Sequence, residues 1–508
     1  MKRSTLVVCA VLCVALSGCA QKKQYATGLA FDEEKYAAVP CKARLVTRAY
    51  ENLPESVSLI PYTPYPGDQG DYGTCVAWST TYAGMTTAAS IMNSRTSRYE
   101  TTANVFSPYY MFQMCNPGSD GQNGMYTEDA LLFLTEIGVP YRSSKEVRYV
   151  DSFEYFDAPA EYEDSPLYKL GWYATCFRNG AASQTKISSV KKSLSENHPV
   201  IISFLATDSF CYSNGYWKPK ASDSPEDGGG HAMIVVGYDD NKYGGSFVIQ
   251  NSWGEEWGKD GYVWVSYNDF ADYTRGAYEL GTSVFEGSPI SFDDPEPEPE
   301  PVPVINPIPT PKPTPTPAPK TEPVKEVLYK GSFDLPVRFE DGGMKLSYSN
   351  GVYKTTKAYE SLTKFQLYMT NTKPCFCYAF ASDDATGKAN AIFPLDNTSP
   401  VLDYSENTIV YPAEDKYIQL DMQPGTDYFV VLYAPYALDL EQIMQRYEEA
   451  VRNGVTQFTE RVAYAVGKEN VIGSDMVQFE KNRVNFTAYI TEDQSPKVLP
   501  VLIQITHE

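Results

Sequence analysis

Cys75, His231 and Asn251 are the residues of this 508-residue chain whose types and settings could carry covalent chemistry. Cys75 stands in Asp68-Gln-Gly-Asp-Tyr-Gly-Thr-Cys-Val-Ala-Trp-Ser79, His231 in Gly228-Gly-Gly-His-Ala-Met-Ile-Val-Val-Gly-Tyr238, and Asn251 in Phe247-Val-Ile-Gln-Asn-Ser-Trp-Gly254. A thiol is a modest nucleophile until it ionises, and an unperturbed cysteine titrates near roughly 8.5. Gly73-Thr74 offer a turn, and Tyr82, Met85, Ala89 and Met92 recur at helical spacing, so a helix is expected to begin around Cys75. A sulfur at a helix N-terminus faces the positive end of the dipole, which favours thiolate. A neighbouring imidazolium strengthens that effect and supplies a proton to a leaving amine. The chain has three histidines. His198 precedes Pro199 in a helix-to-strand turn and His507 lies beside the C-terminus, so His231 is the donor by elimination. The apolar run Met233-Ile-Val-Val236 predicts that His231 opens a buried strand.

Taken together, the three segments resemble the papain family of cysteine peptidases over about residues 53–288. In that family a glutamine lies shortly upstream of the cysteine, with histidine and asparagine far downstream. Gln69, Cys75, His231 and Asn251 match that order. The resemblance implies that Gln69 and the Cys75 backbone N–H bind the tetrahedral oxyanion, and that Asn251 holds the imidazole in its productive tautomer. Trp253 resembles the indole that shields the histidine–asparagine hydrogen bond. Gly124, Met125, Gly230 and Trp253 would line the substrate cleft, with Gly229 and Ser203 further candidates for the pocket wall. Two departures stand out. Tyr72 and Gln122 replace a pair of cysteines that are bridged in many relatives. Met125 replaces a glycine that lies against substrate backbone, so its side chain is expected to narrow the non-primed cleft. A large inhibitory prodomain is also missing. The stretch from Cys19 to Leu53 is either a tether or a strap across the cleft, with Arg44 to Arg48 as basic cleavage sites.

The surrounding chain divides by composition. Lys2-Arg3, the apolar run Leu6 to Leu16 and the ending Leu16-Ser17-Gly18-Cys19 resemble a bacterial lipoprotein signal, with Cys19 acylated after removal of residues 1–18. Residues 19–52 are polar and mixed and read as tether or short propeptide. Prolines occupy nearly every second position from Pro295 to Pro323, which favours polyproline II. Within the 289–324 linker, at roughly 3.1 Å per residue, that run could hold two domains up to about 90 Å apart. Residues 325–508 read as a β-rich accessory domain. Lys364 to Thr370 and Tyr428 to Tyr433 read as strands, and Leu438 to about Val451 as a helix. Cys375 and Cys377 share one face of a strand and read as buried small hydrophobes.

The expected fold is α+β: a papain-like domain with a helical lobe and a strand-rich barrel lobe, the Pro-rich linker, then a β-sandwich-like domain. The formal charge of −22 would repel a phosphate backbone, so no nucleic-acid partner is expected. The expected activity is that of a cysteine-type endopeptidase acting on protein or peptide substrates, with no metal or cofactor. Its lipid anchor would hold it on a bacterial membrane, facing the periplasm or exterior. The C-terminal domain would take a protein or glycan ligand. Two rivals share the same residues: an inactive envelope-tethered scaffold, and an amidase or transpeptidase working on cell-wall peptides.

Overall fold

A computed structural model describes residues 25–117, 119–142, 162, 165–287, 325–403, 407–491 and 494–508. The expected signal at residues 1–18, Cys19 and the proline run lie outside the described residues. Among the described residues no helix is long and apolar enough to cross a membrane.

Residues 75–92 form one continuous helix, made of the α-helical turn Cys75–Ala77, the π-helical stretch Trp78–Met85 and the α-helix Thr86–Met92. Its side chains are buried almost all round, so it is the core of the helical lobe and not a surface helix. Gly84 lets it lie directly on the neighbouring sheet: a Cβ there would sit 2.7 Å from Leu280 and 3.0 Å from Ile201. Helices Arg98–Ala103, Pro108–Cys115 and Thr127–Glu136 complete this lobe. Ser97 and Ser107 cap the first two by accepting backbone N–H bonds.

The second lobe is an eight-stranded sheet. Its order is Tyr173–Thr175, Thr274–Leu280, Val200–Ala206, Gly229–Asp239, Ser246–Gln250, Tyr262–Ser266 and Tyr216–Trp217, with Ser56–Ser58 also paired to Gly229–Asp239. Val200–Ala206 and Gly229–Asp239 are nearly all buried, which is why they read as unbroken apolar runs. They pair antiparallel, with Phe204 opposite His231.

The C-terminal domain packs a five-stranded sheet against a seven-stranded one. Leu367–Asn371 and Val484–Thr491 alternate buried and partly buried residues, as strands with one covered face should. Phe333, Leu367 and Phe486 meet Phe429, Val431 and Val501 in a shared core. The other face of the larger sheet buries Phe380, Val430 and Leu432 under helices Leu440–Arg452 and Phe458–Val466. The sequence reading expected one helix. The second has Phe458, Val462, Ala465 and Val466 on its buried face, a helical spacing that was available. Cys375 and Cys377 are buried in the sandwich core as free thiols.

The two domains touch, in contrast to the wide separation that the linker alone would permit. Residues 36–50, within the stretch read as tether or short propeptide, are packed between them. Tyr36, Val39 and Lys42 are buried in the first domain, and Ala43 and Leu45 belong to the core of the second. The segment's apolar residues follow no single period because they face two different partners. That hides them from a one-face reading of the sequence.

Candidate active site

The four expected residues converge where helix and sheet meet. Cys75 opens the central helix, and its sulfur faces the backbone N–H groups of Ala232, Gly28, Val76 and Cys75 itself, with Ala232 N at 3.5 Å. His231 is the third residue of Gly229–Asp239 and fully buried. Its Nε2 donates to Asn251 Oδ1 at 2.7 Å, which leaves Nδ1 as the basic ring nitrogen. Nδ1 makes no hydrogen bond among the described residues. Trp253 stacks on the imidazole, ring centroids 4.4 Å apart and 19° from parallel, and shields the bond to Asn251.

Gln69 is held by the loop that carries Asn251. Gln69 N donates to Ser252 O at 2.8 Å, and Ser252 Oγ donates to Gln69 Oε1 at 2.7 Å. Accepting through Oε1 fixes which way the amide points, so Nε2 is the end aimed at the cleft. Ser252 was not singled out from the sequence, although it lies inside a quoted segment. Where relatives carry a disulfide, Tyr72 and Gln122 sit in two loops tied by backbone, with Gly73 N donating to Gly121 O at 2.7 Å.

Residues 25–31 fill the cleft. Ala26 O accepts from Gln69 Nε2 at 3.2 Å and from Trp253 Nε1 at 2.9 Å. Tyr25 stacks on Trp253 at 4.8 Å. Gly28 crosses Gly73 and Gly124 so closely that a Cβ on it would lie 1.9 Å from Gly73 O. Gly28 O accepts from Met125 N at 2.9 Å, and Leu29–Ala30 pairs parallel with Met125–Tyr126. Leu29 O also lies against Gly230. Gly124, Met125, Gly230 and Trp253, the residues read as substrate cleft, thus all touch this segment. The Met125 side chain is buried, with its sulfur 4.0 Å from Asn116 Nδ2.

This filling sets the charges. Burial pushes the Cys75 thiol up to about 11, against the pull of the N–H groups around it. Burial lowers His231 to about 4, against the hydrogen bond it donates to Asn251. At neutral pH the site therefore holds a neutral thiol and a neutral imidazole. The sequence reading expected an ion pair. With residues 25–31 displaced, water would reach both groups and relieve the penalty that keeps them neutral.

Residues 64–279 match the sequence pattern of the papain family cysteine protease. The chain carries a papain-family cysteine peptidase domain. Its relatives include an uncharacterized peptidase C1-like protein of Acanthamoeba polyphaga mimivirus, 26% identical over 238 residues, or 44% of this chain and 69% of the relative. A cathepsin B-like protein of Giardia intestinalis is 28% identical over 225 residues, 42% of this chain and 68% of its own length. The crystal structure of xylellain, a cysteine protease from Xylella fastidiosa, overlaps 51% of this chain and 96% of its own at 23% identity, with a TM-score of 0.39. The protein is a cysteine-type peptidase. Among the described residues no group of three or more His, Cys, Asp and Glu could hold a metal ion.

Proposed function

We propose that the protein is an endopeptidase that hydrolyses peptide bonds through a thioester on Cys75. The observation that carries this reading is the convergence of Gln69, Cys75, His231 and Asn251 around one cleft, with His231 Nδ1 left free by the Nε2–Asn251 bond. Once the cleft is open, the proton of Cys75 passes to His231 Nδ1 and the thiolate adds to the peptide carbonyl carbon. Gln69 Nε2 and the Cys75 N–H stabilise the oxyanion. The C–N bond then breaks, and the imidazolium gives its proton to the leaving amine. In the second half His231 takes a proton from water, the hydroxide adds to the thioester, and the acid leaves as the thiol is restored. Cys75→Ala should fold normally and leave no measurable hydrolysis of a fluorogenic peptide library. Retained activity would refute the assignment.

The proposed setting is a bacterial membrane, with the chain held by a lipid on Cys19 and facing the periplasm or exterior. What supports it is the basic start, the short apolar run and the cysteine after small residues. Mass spectrometry of the mature chain should find a diacylated or triacylated Cys19. An unmodified N-terminus beyond that residue would end the idea.

A further inference from the structure

The segment in the cleft occupies the positions that a substrate would need. In a productive complex one carbonyl group meets both the nucleophile, at carbon, and the oxyanion donors, at oxygen. Here the Gln69 amide takes Ala26 O, while the sulfur faces the Gly28 N–H. Residues 25–31 thus hold both the oxyanion donor and the nucleophile, and a substrate can enter only when they leave.

Behind this strap the chain is stitched to both domains. Asp32 Oδ1 caps helix Glu33–Ala38 by accepting from Glu34 N and Lys35 N. Tyr36 OH, inside the peptidase domain, donates to Phe177 O at 2.6 Å and accepts from Ala277 N at 3.3 Å. Cys41 is bridged to Thr175 on one side and to Thr398 on the other. Lys42 Nζ is buried against Glu279, at 3.0 Å, and Ser193 Oγ, at 2.7 Å. Three residues on, Leu45 lies opposite Ile409, and Val46 N donates to Thr408 O at 3.0 Å. From the C-terminal domain, Asn397 Nδ2 donates to Ala37 O at 2.7 Å and to Val39 O at 2.9 Å, and Arg178 of the peptidase domain donates to Asp396 O.

We propose that the C-terminal domain is the holder of an autoinhibitory strap. Its loop 396–399 and edge strand Asn407–Tyr411 grip the stem 37–47, and the stem keeps residues 25–31 across Cys75. Activation displaces or removes the strap N-terminal to Tyr36 and leaves the stem in place as a permanent part of the fold. The basic residues Arg44 and Arg48 are therefore not the activating cut: Leu45 and Val46 between them are buried and paired in a sheet. This inference rests on Cys75 being the nucleophile of the site.

The test uses the full-length chain and two readouts, labelling of Cys75 by a thiol-directed epoxide and hydrogen exchange of backbone residues 26–30. Gly28→Val places a branched side chain where backbone already stands, so the strap must leave. Labelling should rise by about tenfold or more, with loss of exchange protection at 26–30. Asn397→Gly keeps the left-handed turn, φ 53°, and deletes both side-chain bonds to the stem. Those two bonds lie in the C-terminal domain's grip, so labelling should rise about threefold to tenfold. Unchanged labelling and exchange in Gly28→Val would overturn the strap. A response in Gly28→Val with none in Asn397→Gly would overturn the holder. Fast labelling of Gly28→Val without any peptide hydrolysis would instead sink the peptidase reading and leave the strap standing.

Discussion

His231, near the start of strand Gly229–Asp239, and His198, two residues before strand Val200–Ala206 of the same sheet, are both buried. Burial lowers the proton affinity of each, yet their partners send them in opposite directions. His231 has an amide for its partner, and its affinity for a proton falls to about 4. His198 lies between two carboxylates, Glu279 Oε1 at 2.9 Å and Asp403 Oδ2 at 3.3 Å, and is held up to about 10 by them against its burial. Glu279 is held well below the usual carboxylate range by Lys42 and His198, again against burial. The second cluster joins three parts of the chain: Lys42 from the stem, His198 and Glu279 from the peptidase domain, and Asp403 from the C-terminal domain. A buried histidine with fixed counter-charges is a rivet. One with only an amide beside it stays free to change charge, and in the cleft the counter-charge it needs is the thiolate of Cys75.

The comparison breaks most forcefully at Glu279. Glu279→Gln removes the one carboxylate charge that Lys42 and His198 share. Urea denaturation should show a loss of about 3–5 kcal/mol, and a loss under 1 kcal/mol would mean that the cluster is incidental. The sign of its pH dependence is fixed. His198 is raised from 6.5, so its contribution is complete below that value and fades as pH rises through about 10. Glu279 is lowered from 4.5, so its contribution is present above that value and fades in acid. Between those limits the wild-type cluster should be insensitive to pH.

Asn251→Asp sharpens the contrast by giving His231 a carboxylate of its own. In a Cys75→Ala background, NMR titration should place the ring about 1–3 units higher than in Cys75→Ala alone. An unshifted ring would show that its low affinity owes nothing to the missing counter-charge.

Acid should loosen the strap by a smaller amount. With the cleft shut His231 is lowered to about 4, whereas an open site returns it toward 6.5. Between those values the open form binds the extra proton, so each unit of acidification in that window favours opening by up to about tenfold. Exchange at residues 26–30 of Cys75→Ala, corrected for intrinsic rates, should be faster at pH 5 than at pH 7. Equal protection would count against the linkage.

Gln69, Cys75, His231 and Asn251 were legible because each sits at a local landmark: a turn before a helix, the start of an apolar strand, the loop after the next one. The C-terminal strands were legible from alternation, which a sandwich with one covered face per sheet imposes. The ion cluster was not, since Lys42, His198, Glu279 and Asp403 share no local pattern. A carboxylate inside the run Gly276-Ala-Tyr-Glu-Leu280 was the one available signal, because a buried strand holds a charge only when a partner waits for it. The strap stayed one of two readings for a different reason. Its hold depends on Gly28 having no side chain at a crossing of three glycines, and an absence of atoms looks in sequence like an ordinary flexible tail.

The pairing of Leu45 with Ile409 joins a segment made early in synthesis to one made late. Domains fold largely in the order in which they emerge, so the peptidase half can complete its own core before the seat for residues 43–46 has been translated. A nascent chain arrested before strand Lys325–Asp334 is expected to react faster with the epoxide than the finished protein does. Latency would then be acquired last, when the ribosome has delivered the far end of the chain and the early segment finds its berth.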